Sequence, residues 1–323
     1  MAANNVSTRK GKSFFAKLME RREAMLALIV VAMYIVLSFI TPSFMTWSNQ
    51  KVVISSMAVD GIVVIGMTIS LISGGIDLSV GSTLCLSMTV AALLMRNGNH
   101  PWLCSLAGIA VTALIGLIIG LLVTKLHLTH FIVTLCFMGI ARGLVYILTG
   151  GSPVSLVRVF AENKGFAFLG QGTIAGVFPM APVCFIVIAI IAELYVRNSA
   201  GMRKVFYTGS NEQSALYSGI KVDKMKIIAC VACAALAGVA GIIYMIRYSG
   251  VAVNAGSGEE MVALSAAVIG SILGLLFIVI IQDALTLMMV PSYWQDFVKY
   301  AIVLIAVAID GVTYYRSLKA SQS

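Results

Sequence analysis

The sequence predicts an all-α fold: a polytopic membrane bundle of about nine to ten transmembrane helices, some of them broken. Three observations predict it. Of 323 residues, 60% are apolar and 11% charged, against about 25% charged in a soluble domain, and mean hydropathy over the whole chain is +0.99. Apolar runs long enough for a hydrocarbon core of about 30 Å recur from end to end. Ser73–Ser82 then sets Asp77 and three glycines between the apolar runs Ile62–Ile72 and Thr83–Met95. A charge at such depth faces protein or a water-filled path, and backbone freed from its helix is tolerated only there. The chain reads as one transmembrane domain over 1–323, with a cytoplasmic tail at 1–23 and a cytoplasmic loop at 197–226.

The tail carries Arg9, Lys10, Lys12, Lys17, Arg21 and Arg22 and leads into a first, uncleaved span, Ala24–Ile40, closed by Thr41-Pro42. No small-residue cleavage site follows it, which argues against a signal peptide. The second span is expected over Val52–Ile72 and the third over Thr83–Met95, ending in the turn-rich Arg96–Pro101. The fourth, Trp102–Thr124, carries Gly116 and Gly120 at a spacing that lets helices approach closely. The fifth is Phe131–Leu148. A Gly- and Pro-containing loop, 149–180, precedes the sixth, Ala181–Val196. After the hydrophilic 197–226 segment comes the seventh, Ile227–Ile246, and a polar loop, Tyr248–Glu260. Met261–Val290 would be about 45 Å as one helix, too long for one upright crossing and too short for two with a turn. It is either one tilted or kinked span, or a short re-entrant piece that turns near Gly270 before a full span. A last span, Phe297–Thr313, ends before Arg316 and Lys319.

Lysine and arginine set the orientation. Six lie in the tail and six in 197–226, with six spans between, so both segments share one side. The intervening loops of the other side hold only Lys51, Arg96, Arg158 and Lys164. The N-terminus is therefore expected in the cytoplasm. The net charge of +9 belongs to this pattern, not to nucleic-acid binding.

Several chemistries are excluded. Gly11-Lys12-Ser13 has Val6 where a phosphate-binding loop needs its first glycine. Cys230-x-x-Cys233 and His127-x-x-His130 lack the partners a metal site needs. The other cysteines, 85, 104, 136 and 184, mostly sit in apolar runs as small hydrophobes. No catalytic residues, cofactor or metal are assigned to the chain.

Two stretches carry function. In the first, Gly74, Gly75, Asp77, Ser79 and Gly81 break a membrane helix. Asp77 either lines a pathway or caps the half-helix that begins near Leu78. Asp60, Gln282 and Asp283 are further polar groups at or within apolar runs and candidate pathway residues. In the second, Asn211 is a good N-cap for a short helix, Glu212–Tyr217, stopped by Gly219. That helix is either a rigid lever for a partner or a solvated linker.

Gly75-Ile76-Asp77-Leu78-Ser79-Val80-Gly81-Ser82 resembles the hallmark of sugar-type ATP-binding-cassette importer permeases, the ribose, xylose, arabinose, galactose and autoinducer-2 group. Phe131–Leu135, Arg142-Gly143, Gly150–Pro153, Ser292–Gln295 and Val298-Lys299 extend the resemblance over nearly the whole chain. Gly209–Ile220 is similar to the segment that docks on the ATP-binding subunit in that family. Gly209, Asn211, Glu212, Ala215, Ser218 and Gly219 would make that coupling contact. The resemblance implies no covalent chemistry in this chain, with ATP and Mg held on a separate ATPase subunit. It also implies an extracytoplasmic sugar-binding protein, a second permease copy, identical or related, and alternating access. One departure stands out. Where the family places a second glycine-rich loop, Ala266–Gly270 runs straight into Ser271–Gly274, so roughly ten residues of the paired-break pattern are absent.

Overall fold

The structure, a computed structural model, describes residues 22–269, 272–302, 304–305 and 308. The basic tail through residue 21, the Gly270-Ser271 junction and the C-terminal Arg316 and Lys319 lie outside the described residues, and with the junction lies the point where the family's second glycine-rich loop is absent.

Helices dominate. They are α1 (Arg22–Ile40), α2 (Trp47–Ile72), α3 (Val80–Arg96), α4 (Pro101–Lys125), α5 (His130–Thr149), two short ones, α6 (Val157–Glu162) and α7 (Lys164–Gln171), and α8 (Met180–Asn198). The second half holds α9 (Ala200–Ser210), α10 (Glu212–Tyr217), α11 (Val222–Tyr248), α12 (Glu259–Ile269) and α13 (Ile272–Leu287), followed by helical residues 292–302. Two small antiparallel pairs are present: β1 (Val154–Ser155) with β4 (Gly250–Val251), and β2 (Thr173–Ile174) with β3 (Phe178–Pro179). Among the described residues α2, α4, α5, α8 and α11 are long and apolar enough to cross a membrane. Leu103, Ile132, Ile147 and Ile191 are exposed on them, as lipid-facing side chains must be.

Local signals set the ends. Thr46 accepts from the Asn49 amide at the start of α2, which begins five residues before the predicted Val52. Pro101 opens α4, and Gly150, with φ +62°, closes α5. The loop predicted over 149–180 is more ordered than its composition indicates, folding into α6, α7 and the β2–β3 hairpin. The segment 197–226 is likewise not a loop but two helices, α9 and α10.

The bundle is organised around α11 and α3. Small residues on α11 (Ala234, Ala237, Ala240) are fully buried and admit α2, α3 and α4 to close range. A Cβ on Gly116 of α4 would lie 2.6 Å from the Cys230 carbonyl oxygen, so the glycine spacing in α4 serves packing. In α3, Thr83, Ser87 and Thr89 are completely buried, and each hydroxyl bonds a backbone carbonyl.

For residues 261–290 the structure has the two-helix alternative. Residues eight apart in a straight helix are separated by about 12 Å. A Cβ on Gly274 would instead lie 2.9 Å from the Ala266 carbonyl oxygen, so α12 and α13 fold back on each other. Helix α13 then runs antiparallel to α2: Ile272 shares a groove with Ile72, while Asp283 bonds Asn49 at the other end.

The two breaks follow helices that run in opposite directions. Helix α2 runs toward the face formed by α9 and α10, and α3 turns back from inside the bundle. Helix α11 starts at that face and runs to the opposite one, and α12 turns back from inside. Both half-helices begin buried: Val80 is fully covered and Glu260 is 8% exposed. The segment 249–258 is thus a second break, at the place the sequence reading gave as the polar loop Tyr248–Glu260. The reversal between Ile269 and Ile272 is the re-entrant alternative that the length of 261–290 left open.

Candidate functional site

The first break is built by hydrogen bonds that replace the lost helical ones. Gly74 takes φ +88°, the Gly75 amide bonds the Ser70 carbonyl, and the Ser70 hydroxyl bonds the Gly75 carbonyl. Thr134 of α5 donates to the Ile76 carbonyl at 3.1 Å. Gly75 lies under the His130 ring, where a Cβ would fall 1.6 Å from Nδ1. Asp77 is completely buried, and its Oδ1 accepts the Ser79 amide at 2.8 Å and the Ser79 hydroxyl at 2.6 Å. These bonds hold the turn that enters α3. Its Oδ2 has no hydrogen-bond partner among the described residues.

The second break uses cations and carbonyls. Arg142 of α5 donates from Nη1 to the carbonyls of Val253 and Ala255, both at 2.8 Å. The Cys85 thiol lies 3.6 Å from the Ala252 carbonyl, and pairing of Val154 with Val251 anchors the start of the segment. Gly256 and Gly258, at φ +71° and +84°, turn the chain into α12.

The two breaks touch. A Cβ on Gly81 would lie 2.1 Å from the Gly256 carbonyl oxygen and 2.7 Å from a Glu260 carboxylate oxygen; one on Gly256 would lie 2.4 Å from the Gly81 carbonyl oxygen. Two helix N-termini, each with partial positive charge, are thus brought together inside an apolar bundle. Each carries its own carboxylates, Asp77 ahead of α3 and Glu259 and Glu260 in the first turn of α12, which offset that charge.

Beside this seam is a polar cleft of about 320 Å³ between α2, α13 and residues 292–302. Gln282 and Asp283 line it, together with Ser56, Glu259, Gln295 and Lys299. Asp283 accepts from the Asn49 amide nitrogen at 2.7 Å. Asp60 stands nearby, half-buried, within electrostatic reach of Glu259, Arg247 and Lys299. Arg247 in turn bonds the Ser56 hydroxyl at 3.2 Å. The structure thus brings Asp60, Gln282 and Asp283 to one region and leaves Gly74, Gly75, Asp77, Ser79 and Gly81 together at the other side of the seam.

Arg142, Gly256, Glu259, Glu260 and Lys299 were not singled out as site residues from sequence. Two signals were available: a lone arginine within an apolar run, and Gly256-x-Gly258 followed at once by two glutamates, which has the form of a loop opening a helix.

On the far side of the first break, the segment 199–221 is anchored directly to it. Ser199 caps α9 through the amides of Gly201 and Met202. Asn211 caps α10 through the Ser214 amide at 2.9 Å, Ala215 is 3% exposed, and Gly219 ends the turn at φ +76°. Glu212 pairs with Lys226 at 2.7 Å, while Tyr217 is 88% exposed. Gly209 rests on the end of α2: a Cβ there would lie 1.9 Å from the Ile72 carbonyl oxygen and 2.9 Å from the Gly74 nitrogen.

A family described as branched-chain amino acid transport system / permease component matches residues 51–307. The chain belongs to this permease family. The permease is 34% identical to the ribose import permease protein of Escherichia coli (strain K12) over 320 residues, covering 94% of this chain and 98% of that one. It is 31% identical to the ribose import permease protein of Bacillus subtilis (strain 168), covering 96% and 98%. To the galactose/methyl galactoside import permease protein of Escherichia coli (strain K12) it is 29% identical, covering 94% and 98%. No solved structure matches it. The matched region takes in both breaks, the seam and the α9–α10 segment, so the permease carries its candidate site wholly within the part it shares with its relatives.

Proposed function

We propose that the permease is the membrane subunit of an ATP-binding-cassette importer that moves a monosaccharide across the bacterial inner membrane. One observation carries the coupling part of this reading: the capped helix α10 is joined, through Gly209, to the end of α2 with no slack. An ion-coupled transporter has no need of such a projecting segment. The tail and α9–α10 lie in the cytoplasm, and Tyr217 and its neighbours meet a separate ATPase subunit. A binding protein delivers the solute to the opposite face, and a second permease copy completes the path. Closure of the ATPase pair pushes α9–α10 against Ile72 and Gly74, the seam at Gly81 and Gly256 moves, and access alternates. The permease makes and breaks no covalent bond.

The names of its relatives support a sugar as solute. The family description names branched-chain amino acids, yet a cleft lined by Gln282, Asp283, Gln295 and Lys299 suits a polyhydroxylated solute better than an aliphatic side chain. The experiment is uptake of labelled ribose and galactose by cells expressing the permease with its neighbouring ATPase and binding-protein genes. Uptake resists an uncoupler and disappears when Gly209–Gly219 becomes a flexible linker, and the ATPase no longer co-purifies. Collapse with the uncoupler, or an ATPase retained on the linker variant, overturns the reading. Uptake of neither sugar overturns the choice of solute.

A further inference from the structure

We propose that the cleft between α2, α13 and residues 292–302 is a binding subsite for the transported solute, a neutral polyhydroxylated molecule of monosaccharide size. The inference rests on the sugar-importer reading above and gives it a place in the molecule.

Size comes first. About 320 Å³ is at the lower end of the ~300–1,000 Å³ of small-molecule sites, which admits one sugar ring and not a chain of them. Chemistry comes second. The cleft offers amides (Gln282, Gln295), a hydroxyl (Thr286) and carboxylates (Glu259, Asp283). Hydroxyls donating to carboxylates form bonds roughly twice as strong as neutral pairs. Asp283 is oriented for this, since Asn49 holds one of its oxygens at 2.7 Å.

Glu259 supplies an independent observation. Its Oε2 is buried and has no hydrogen-bond partner among the described residues. An acceptor left unsatisfied in this way costs on the order of 1–3 kcal/mol, more when charged, and a hydroxyl in the cleft would satisfy it. The charge balance narrows the class further. Glu259, Asp283 and Asp296 outnumber Lys299, which itself lies 3.3 Å from Asp296, and Arg247, which bonds the lining Ser56 at 3.2 Å. The lining therefore repels phosphorylated and carboxylated solutes. Position makes the subsite useful: Glu259 is three residues from Gly256, which touches Gly81, so a molecule bound here bears directly on the seam.

Reporter thiols in the complete importer test this. In a Cys136→Ser background, which removes the exposed native thiol, Thr286→Cys and Ser292→Cys are placed in the cleft and Ser38→Cys outside it. Each is labelled in intact cells with a membrane-impermeant maleimide, with and without millimolar ribose, galactose, leucine or ribose 5-phosphate. Both cleft thiols are expected to label, and a neutral sugar to slow them several-fold while leucine, the phosphate ester and the Ser38→Cys control have no effect. Asp283→Asn is expected to raise the KM for sugar uptake about tenfold. Cleft thiols that never label, equal rates with and without sugar, or protection by leucine overturn the proposal. Persistent sugar uptake without protection removes the subsite alone; absent sugar uptake removes the reading on which it rests.

Discussion

At the scale of single residues, the seam depends on two positions that tolerate no side chain. The Gly81 and Gly256 backbones meet where a Cβ on either would overlap the other's carbonyl oxygen. Overlap with backbone is not relieved by a rotamer change. Gly81→Ala is therefore expected to cut solute uptake at least about tenfold while the protein still inserts, because 3 kcal/mol or so of overpacking falls on the joint proposed to move. Normal uptake kinetics would show that the joint has slack. Arg142 is the second critical residue. Arg142→Ala leaves the Val253 and Ala255 carbonyls unbonded, at about 1–3 kcal/mol each. The thermal midpoint of the purified permease should drop by several degrees, with Arg142→Lys falling between variant and parent. An unchanged midpoint would mean water replaces the guanidinium. Asp77 was legible as a costly buried carboxylate, but its pairing with Ser79 rests on a local turn geometry that residue types permit and do not dictate.

Among elements, legibility followed the strength of local signals. Helix α10 was readable because cap, body and stop are all written into Asn211, Glu212–Tyr217 and Gly219. Helix α12 was readable only as one of two alternatives, since Met261–Val290 is apolar throughout and the fold-back depends on packing against α2 and α3. Helices α6 and α7 were hidden as well, being too short for a periodic pattern; α7 is held by tertiary contact with α11 and α6 by contact with α7. The N-cap offers a graded test. Asn211→Ala removes about 1 kcal/mol from α10 and should weaken ATPase co-purification, whereas Asn211→Asp, which keeps the acceptor, should not. Equal loss from both would assign Asn211 to direct contact with the partner instead of to the cap.

For the whole molecule, the hairpin of α12 and α13 decides parity. The segment 249–269 descends from the face opposite α9–α10, α13 returns to that face, and residues 292–302 head back again. Among the described residues, 292–302 thus run toward the side of the α9–α10 segment, and with the hairpin the chain is expected to make ten passes. Reporters inserted at 289–290 and fused after 323 should consequently lie on opposite sides of the membrane. Finding them on the same side would refute the hairpin. The class of fold was plain from hydropathy alone. The opposed directions of α2–α3 and α11–α12 were not, because the two breaks share no sequence pattern. The first is built on Asp77 and Ser79, the second on Arg142 reaching in from α5.

The contact between Gly209 and the Ile72–Gly74 backbone has a consequence for engineering. It joins two stretches more than 130 positions apart through main-chain atoms, so their compatibility leaves almost no trace in side-chain identity. If 199–221 couples to an ATPase as proposed, a chimaera that takes this segment from another permease inherits only half of the contact. Residues 72–75 and 199–221 form one exchangeable cassette, and transplanting them together, not the loop alone, is what would let a hybrid accept a foreign motor.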